Sequence, residues 1–303
     1  MTFMRKLLYP MQQYGNLCKP RVSFFAALSA MVGLLLSPFP TIGTVVPLAL
    51  VVFLLACGGS ALNQYQERAI DALMERTRHR PIPAGHIRPL SALRFALAVL
   101  GFALSMLAVV GGIKALLLGL FAVLWYNLLY TYLKRRSAFA VIPGALVGVI
   151  PPAIGWVAGG GAISDARLGA IGFLFFLWQV PHFWLLMLDR GKEYEKAGLP
   201  TLHALFREES LRRIIFHWIV ALAVGSLCIS LYGLVDAPLI QGALFAAAVW
   251  ICWNGRSLLA GDGRDAGRLL RMVNAYMVII ALGVALDAVF VPHLSPRFLP
   301  GLF

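Results

Sequence analysis

The chain has 303 residues, of which 60% are apolar and only 13% are charged, and its formal net charge is +13. A soluble globular domain carries about 25% charged residues, so this composition excludes an ordinary soluble enzyme and indicates a membrane protein. No CxxC spacing occurs among the four cysteines, so neither a disulfide framework nor a zinc site is predicted at Cys18, Cys57, Cys228 and Cys252.

Residues 1–21 lack an apolar core followed by a cleavage site, so we predict a cytoplasmic N-terminal segment rather than a signal peptide. Nine uncharged apolar stretches follow. Two of them share residues 22–66 and are hinged at Pro38-Phe39-Pro40; the others are 95–113, 115–133, 137–164, 168–188, 214–235, 237–255 and 272–286, the last continuing past Asp287. About 20 apolar residues span a hydrocarbon core of about 30 Å as a helix. Because the stretches lack the period-two alternation of barrel strands, we predict one all-α transmembrane domain over residues 1–303, with about nine helices.

The basic residues predict the orientation of these helices. With a cytoplasmic N-terminus, all of the 26 Lys and Arg residues fall on the cytoplasmic side except Lys114, Arg167 and Arg297. This positive-inside pattern explains the net charge without nucleic-acid binding and places the C-terminus outside. Since no long leader rich in Arg and Ser is present, we expect a multi-pass protein of the prokaryotic inner membrane.

Where the second span ends, polar residues recur every four positions: Asn63, Glu67, Asp71 and Glu75. On a helix this spacing places them along one face. Carboxylates on one face repel each other unless cations lie between them, and such hard oxygen ligands suit Mg²⁺. The alternative is a solvated helix end balanced by neighbouring arginines. Ionisable groups at membrane depth are costly and usually functional, which favours the metal site.

Two basic motifs lie on the same side of the membrane. Arg76, Arg78 and Arg80 precede two prolines, so we predict an irregular basic loop whose arginines can bind phosphate oxygens. Tyr130 and Lys134 end the fourth span at i, i+4, where both can contact a phosphate. The alternative for the first motif is that its basic residues only anchor the cytoplasmic side of the membrane. The alternative for the second is that aromatic residues at the membrane interface are followed by basic residues that end the span.

A second acidic pair follows the sixth span, at Asp189 and Glu193. Two acidic sites flanked by Arg and Lys fit a diphosphate held between two Mg²⁺ ions. The alternative is a solvated helix of mixed charge. His182 lies about two helical turns before Asp189. It can bind a metal, move a proton or form a hydrogen bond within the bundle.

At these residues the chain resembles the UbiA-type intramembrane prenyltransferase superfamily, whose pattern is Asn-xxx-Asp-xxx-Asp, Tyr-xxx-Lys and Asp-xxx-Asp. Within that superfamily it resembles the haem-prenylating branch, through the strings KPRV (19–22), ERAIDALMERTRHRP (67–81), YTYLKRRS (130–137), PPAIGW (151–156), WQVPHF (178–183) and EYEKAGLP (193–200). Glu67 and Glu193 stand where the pattern has Asp. Ala140 replaces a usual Asn, and Thr201-Leu202-His203 replaces a common Met-Leu-Pro.

The resemblance implies a helical bundle around a central cavity that opens on the cytoplasmic side. It implies Mg²⁺ ligands at Asn63, Glu67, Asp71, Asp189 and Glu193. The diphosphate would be held by Arg76, Arg80, Tyr130 and Lys134, with Lys19 and Arg21 at the cavity rim. The donor would be farnesyl diphosphate and the acceptor haem B, with His182 at the acceptor.

Two alternatives remain open from the residues. One is the same enzyme class with an aromatic quinone precursor as the acceptor. The other is a transporter that uses the acidic sites to bind ions, although transporters more often place such groups and broken helices near the membrane midplane.

Overall fold

The computed structural model describes residues 3–260 and 266–290, with the side chains of all of these except residues 3–8, 189, 190 and 192. Every regular element in these ranges is helical, as predicted. In chain order the α-helices are α1 (Phe3–Leu17), α2 (Pro20–Leu35), α3 (Ile42–Asp71), α4 (Pro89–Leu124), α5 (Thr131–Leu133), α6 (Val141–Gly144), α7 (Leu146–Ala158), α8 (Ala166–Lys196), α9 (Glu208–Leu231), α10 (Pro238–Gly255) and α11 (Ala266–Phe290). A π-helical turn, Trp125–Tyr130, joins α4 to α5, and short 3-10 turns precede α9 and follow α10.

Helix α4 contains a chain reversal. With its continuation to Leu133 it is 45 residues long, and a straight helix of that length would measure about 68 Å, roughly twice the hydrocarbon core. At Gly112 the backbone is non-helical, with φ 77° and ψ −179°, a region that essentially only glycine adopts. A Cβ atom on Gly119 would lie 2.5 Å from Cδ2 of Leu107. Residues that far apart in a straight helix cannot touch, so α4 crosses the membrane twice.

The predicted nine spans are confirmed in the described part of the chain. Seven helical stretches are long and apolar enough to cross a membrane, and the end of α1 together with α2, bent by 53° at their junction, forms an eighth span. The reversal at Gly112 divides one of the seven and gives the ninth. The predicted stretch 137–164 is shorter in the structure, where α6 and α7 together cover Val141–Ala158.

The spans pack into a closed ring. Helix α2 packs on α3 and α7, α4 packs on α3 and α7, α8 contacts α7, α9 and α11, and α11 returns to α2. The α2–α7 contact is close because both helices present small residues. A Cβ atom on Gly33 would lie 1.9 Å from the Pro152 carbonyl oxygen, and one on Gly155 would lie 1.9 Å from that of Ala30. Such contacts between small residues associate helices where the hydrophobic effect cannot.

Helix α1 packs over the turns that follow α3. The Tyr9 hydroxyl lies 3.1 Å from Nδ1 of His86, and the Tyr14 ring packs on Phe95 with centroids 5.0 Å apart. Residues 72–88 form turns rather than a helix, which confirms the predicted irregular basic loop. The N-terminal helix therefore contacts the end of this loop at His86 and the start of α4 at Phe95.

A buried carboxylate at the far end of the bundle has a structural role. Asp287, within α11, is fully buried and accepts hydrogen bonds from the backbone N–H groups of Asp236 and Ala237, at 3.0 and 2.8 Å. These donors lie immediately before α10, where helix geometry leaves N–H groups without internal partners. Asp287 thus caps α10 from a neighbouring helix, which explains a charge inside the last apolar stretch.

Asp287→Ala is expected to destabilise the protein by about 1–2 kcal/mol, because two buried donors lose their acceptor. Asp287→Asn, which keeps one carbonyl oxygen, should lose less. Thermal unfolding in detergent measures both effects. Glu209→Ala, at an exposed carboxylate paired with Arg213, is the control and should stay within about 0.5 kcal/mol of the parent. Equal stability of Asp287→Ala and that control would contradict the capping role.

Candidate active site

The C-terminal end of α3 buries three of the predicted metal ligands. Asn63, Glu67 and Asp71 are only 1%, 5% and 3% exposed, and their spacing of four residues places them on one helix face. The predicted extension of this helix face to Glu75 is wrong, because α3 ends at Asp71 and the Glu75 side chain is 66% exposed and paired with Arg78. The chain turns away there, with the Thr77 hydroxyl donating to the Asp71 carbonyl oxygen at 2.8 Å.

Each of the three buried side chains contacts a cation from a different segment. Lys19 Nζ donates to Asn63 Oδ1 at 3.0 Å. Lys134 forms an ion pair with Glu67. One guanidinium nitrogen of Arg80, Nη1, contacts both carboxylate oxygens of Asp71, at 2.8 and 2.7 Å. The structure thus unites four predicted motifs, since Lys19 precedes α2, Arg80 lies in the turns after α3 and Lys134 follows α5. Such pairing is needed because an isolated buried charge is very costly.

Lys19 is held in place by its backbone. It lies in the two-residue junction between α1 and α2 with φ 45°, in the left-handed region. The Gln64 side chain on α3 fixes that junction by donating to the carbonyl oxygens of Asn16 and Leu17, at 3.1 and 3.0 Å.

The Tyr-xxx-Lys motif lies beside the α3 carboxylates. Lys134 Nζ is 5.8 Å from the centroid of the Tyr130 ring, within cation–π range. That ring packs closely on α6, where a Cβ atom on Gly144 would lie 2.4 Å from Cε2 of Tyr130. It is also nearly parallel to the Tyr126 ring, with centroids 6.1 Å apart. Lys134 therefore contacts Glu67 and lies near the Tyr130 ring at the same time.

A network of polar side chains, which the sequence did not indicate, joins α3 to the π-helical turn and to the residues that follow it. Gln66 Nε2 donates to the Asn127 carbonyl oxygen at 3.1 Å, and Asn127 Nδ2 donates back to Gln66 Oε1 at 3.2 Å. Arg135 donates to the Gln66 carbonyl oxygen at 2.9 Å. Asn63 Nδ2 donates to the Thr131 hydroxyl at 3.0 Å. π-Helical turns are rare and often lie at functional sites.

The second acidic pair lies near the end of α8. The side chain of Asp189 is outside the described residues, so only its position on the helix is known. Glu193 is partly buried, and its Oε2 atom is buried without a hydrogen-bond donor in the described part of the chain. A buried carboxylate oxygen without a donor is costly unless a cation binds it. This oxygen therefore fits a metal ligand.

The donor chemistry of the described residues suits Mg²⁺. Asn63, Glu67, Asp71 and Glu193 provide only oxygen ligands, the type that Mg²⁺ prefers. Among the described side chains no three His, Cys, Asp or Glu groups form a metal site on their own. Mg²⁺ is typically bound by one or two carboxylates, with water and substrate phosphates completing the shell. The arrangement thus fits a metal that binds together with a diphosphate.

In the described part of the chain, Arg21, Arg76 and His182 form no hydrogen bond or ion pair with Asn63, Glu67 or Asp71. Arg21 and Arg76 are exposed. His182, in the membrane part of α8, is partly buried, and its Nδ1 atom lies 2.7 Å from Asn274 Oδ1 on α11. The Trp178 ring is 5.4 Å from it, centroid to centroid. His182 thus belongs to an aromatic region between α8 and α11.

Residues 24–280 match the model of the UbiA prenyltransferase family. The chain belongs to this family. It is 39% identical over 275 residues to a protoheme IX farnesyltransferase of Geobacter sulfurreducens, covering 89% of this chain and 97% of that protein. It is 38% identical over 233 residues to a protoheme IX farnesyltransferase of Nitratidesulfovibrio vulgaris, covering 77% of this chain and 79% of the relative. Family membership identifies a prenyltransferase and removes the transporter alternative.

Solved structures share the fold of this prenyltransferase. A UbiA homologue from Aeropyrum pernix K1 aligns with a TM-score of 0.73 and 20% identity, over 88% of this chain and 98% of that one. A UbiA homologue from Archaeoglobus fulgidus bound to GPP and Mg²⁺ aligns with a TM-score of 0.69 and 20% identity, over 90% and 97%. These similarities confirm the predicted all-helical membrane fold.

Proposed function

We propose that this prenyltransferase transfers the farnesyl group of farnesyl diphosphate to a vinyl group of haem B, giving haem O. The observation that carries the proposal is the convergence of Lys19, Arg80 and Lys134 on the buried oxygens of Asn63, Glu67 and Asp71. A metal-bound diphosphate needs both kinds of group: oxygens that bind the metal and cationic side chains that bind the phosphate oxygens. The names of the relatives support the choice of donor and acceptor.

We assign Asn63, Glu67 and Asp71, with Asp189 and Glu193, as the residues that hold Mg²⁺ when it is bound. The metal would neutralise the diphosphate as its bond to the allylic carbon breaks. Arg80, Lys134 and Tyr130 would hold the diphosphate oxygens, with Lys19 beside them and Arg76 and Arg21 nearer the surface. Such fixed charges stabilise the leaving group without reorganisation.

Bond formation completes the reaction. The allylic carbon bonds to the vinyl group, and water then adds to the resulting cation on the haem side chain, releasing a proton and leaving a hydroxyethylfarnesyl group. The helical bundle must exclude water from the allylic cation until the acceptor is in place. The ring of spans and the aromatic region between α8 and α11 suit that requirement.

The test of this proposal uses the purified protein in detergent with farnesyl diphosphate and Mg²⁺, offered haem B and 4-hydroxybenzoate separately. We expect mass spectrometry to detect farnesylated haem and an unchanged 4-hydroxybenzoate. Removal of Mg²⁺ with EDTA should stop the reaction. Prenylation of 4-hydroxybenzoate alone would instead support the quinone-precursor alternative.

His182 is proposed as an acceptor-binding residue. With Nδ1 engaged by Asn274 Oδ1, Nε2 is the ring nitrogen that can face a haem iron, and neutral imidazole is a good iron ligand. We expect the parent protein to bind haem with a shift of the Soret band, and His182→Ala to weaken that binding several-fold. Affinity for farnesyl diphosphate should change little, because the proposed metal ligands are intact.

His217→Ala is the matched control for that experiment. His217 is also on a membrane helix, but it is exposed and its Nδ1 contacts the carbonyl oxygen of Arg213. Its replacement should leave haem binding unchanged. If His182→Ala bound haem like the parent and lost farnesyl diphosphate instead, His182 would belong to the diphosphate site or to helix packing.

We also propose the orientation that the positive-inside pattern predicts, with the N-terminus cytoplasmic, the C-terminus outside and the protein in the cell inner membrane. The candidate site then faces the cytoplasm. We propose further that residues 1–303 act as one transmembrane prenyltransferase domain, since residues from α3, the turns after it, the π-helical turn and α8 contribute to one site.

A further inference from the structure

Thr131 occupies an unusual position in the network that joins α3 to the π-helical turn. It is fully buried and directly follows that turn. Its hydroxyl donates to the Tyr126 carbonyl oxygen at 2.8 Å. A hydroxyl has one proton, so the same oxygen can only accept from its other neighbour. That neighbour is Asn63, whose Nδ2 atom lies 3.0 Å from Thr131 Oγ1.

The other end of the Asn63 amide leads to the same orientation. Its Oδ1 atom accepts from Lys19 Nζ at 3.0 Å. The Thr131 hydroxyl requires the amide nitrogen to face it, and the Lys19 contact is the one expected for the amide oxygen at the opposite end. The two ends of an asparagine amide are similar in shape, so this orientation depends on such hydrogen bonds.

We propose that Thr131 is a positioning residue, which orients the Asn63 amide so that Oδ1 rather than Nδ2 is presented to Mg²⁺ and the diphosphate. The inference rests on the proposed function, in which Asn63 is a metal ligand. When Lys19 binds the diphosphate and Oδ1 binds the metal, the Thr131 hydrogen bond is the restraint that still fixes the amide. A reversed amide would turn two N–H donors toward a cation, which cannot accept them.

The π-helical turn explains how Thr131 reaches this position. Its hydroxyl donates to a carbonyl oxygen five residues earlier. The reciprocal Gln66–Asn127 pair holds the turn against α3, about one helical turn from Asn63 on α3 and from Thr131 on the other segment. Asn127 Nδ2 also donates to the Gly59 carbonyl oxygen at 3.0 Å. The turn is thus fixed to α3 both above and below Asn63, and Thr131 cannot move independently of it.

The test measures binding of Mn²⁺, as a spectroscopic substitute for Mg²⁺, by electron paramagnetic resonance in the presence of farnesyl thiodiphosphate. Thr131→Val removes the acceptor with little change in shape, and we expect the Kd of Mn²⁺ to rise about tenfold. Turnover at saturating Mg²⁺ should fall much less. Thr131→Ser, which restores the hydroxyl, should return the Kd to within about twofold of the parent. Ser37→Ala, which removes a buried hydroxyl bonded to the Leu34 carbonyl, should leave Mn²⁺ binding unchanged.

Repeating the substitution in an Asn63→Asp protein separates an effect on the orientation of the residue 63 side chain from an effect on helix packing. In Asn63→Asp both ends of the side chain are oxygen, so adding Thr131→Val should change the Kd of Mn²⁺ by less than about twofold. An equal loss in both backgrounds, or a Thr131→Val protein that binds Mn²⁺ like the parent, would overturn the positioning role. If the parent protein itself failed to bind Mn²⁺ with the analogue, the proposed metal-dependent function would fail instead.

Discussion

Asp71→Asn is expected to abolish prenyl transfer, lowering kcat by at least about 100-fold, the loss typical of removing a group that stabilises transition-state charge. The asparagine keeps the shape and one acceptor for Arg80, whose guanidinium now contacts both carboxylate oxygens of Asp71. What disappears is the negative charge that we propose binds the metal. Turnover of farnesyl diphosphate in detergent gives the rate, and thermal unfolding shows whether the variant is folded.

Glu75→Gln is the matched control for Asp71→Asn. It lies four residues further along the same sequence pattern, yet it is exposed and outside α3. Its rate should stay within about twofold of the parent, since an exposed charge contributes little. Glu67→Asp should also be tolerated, because the carboxylate remains. A normal rate in a folded Asp71→Asn protein would remove the metal site from this end of α3.

Lys134→Met is expected to lower kcat/KM for farnesyl diphosphate by about 100-fold and to destabilise the protein as well. The two effects have different causes. The rate should fall because the ammonium group that we propose binds the diphosphate is lost. Stability falls because Glu67 stays buried without its counter-ion. Breaking a fully buried pair costs about 3–5 kcal/mol, and because Lys134 keeps 28% of its side chain exposed, we expect about 2 kcal/mol.

The double variant Glu67→Gln/Lys134→Met separates these effects. Neutralising Glu67 removes the unpaired charge, so thermal stability should return close to that of the parent. Activity should stay low, because the ammonium and a proposed metal ligand are both absent. Arg136→Gln, an exposed member of the same basic cluster, is the control and should change neither quantity. Recovery of activity in the double variant would show that Lys134 serves only to neutralise Glu67.

The spans could be predicted from the sequence because each apolar stretch ends at charged residues or at a Pro or Gly turn. The length of the apolar stretches also predicts the reversal at Gly112, because an apolar helix of 45 residues is too long to cross the membrane once. The i, i+4 spacing of Asn63, Glu67 and Asp71 also predicted a shared face correctly. The same spacing gave a wrong prediction for Glu75, because residues four apart share a face only inside a helix and α3 ends at Asp71.

The partners of the α3 residues could not be predicted in the same way. Asn63 and Thr131 are 68 residues apart, and no periodic pattern connects them. The π-helical turn adds to the difficulty, because it shifts the register of the residues that follow it. Arg76 and Arg80 look equivalent in the sequence, yet only Arg80 reaches Asp71, since the turns between residues 72 and 88 do not follow helical spacing.

The order in which the paired charges occur along the chain constrains how the protein enters the membrane. Asp71 meets Arg80 within one short segment, so this pair can form as soon as the second span leaves the ribosome. Glu67 pairs with Lys134, which is made only after the third and fourth spans. Until Lys134 is made, the Glu67 carboxylate lacks this counter-ion, and its burial would be costly. The hairpin at Gly112 brings to Glu67 the cation that offsets the burial of this end of α3.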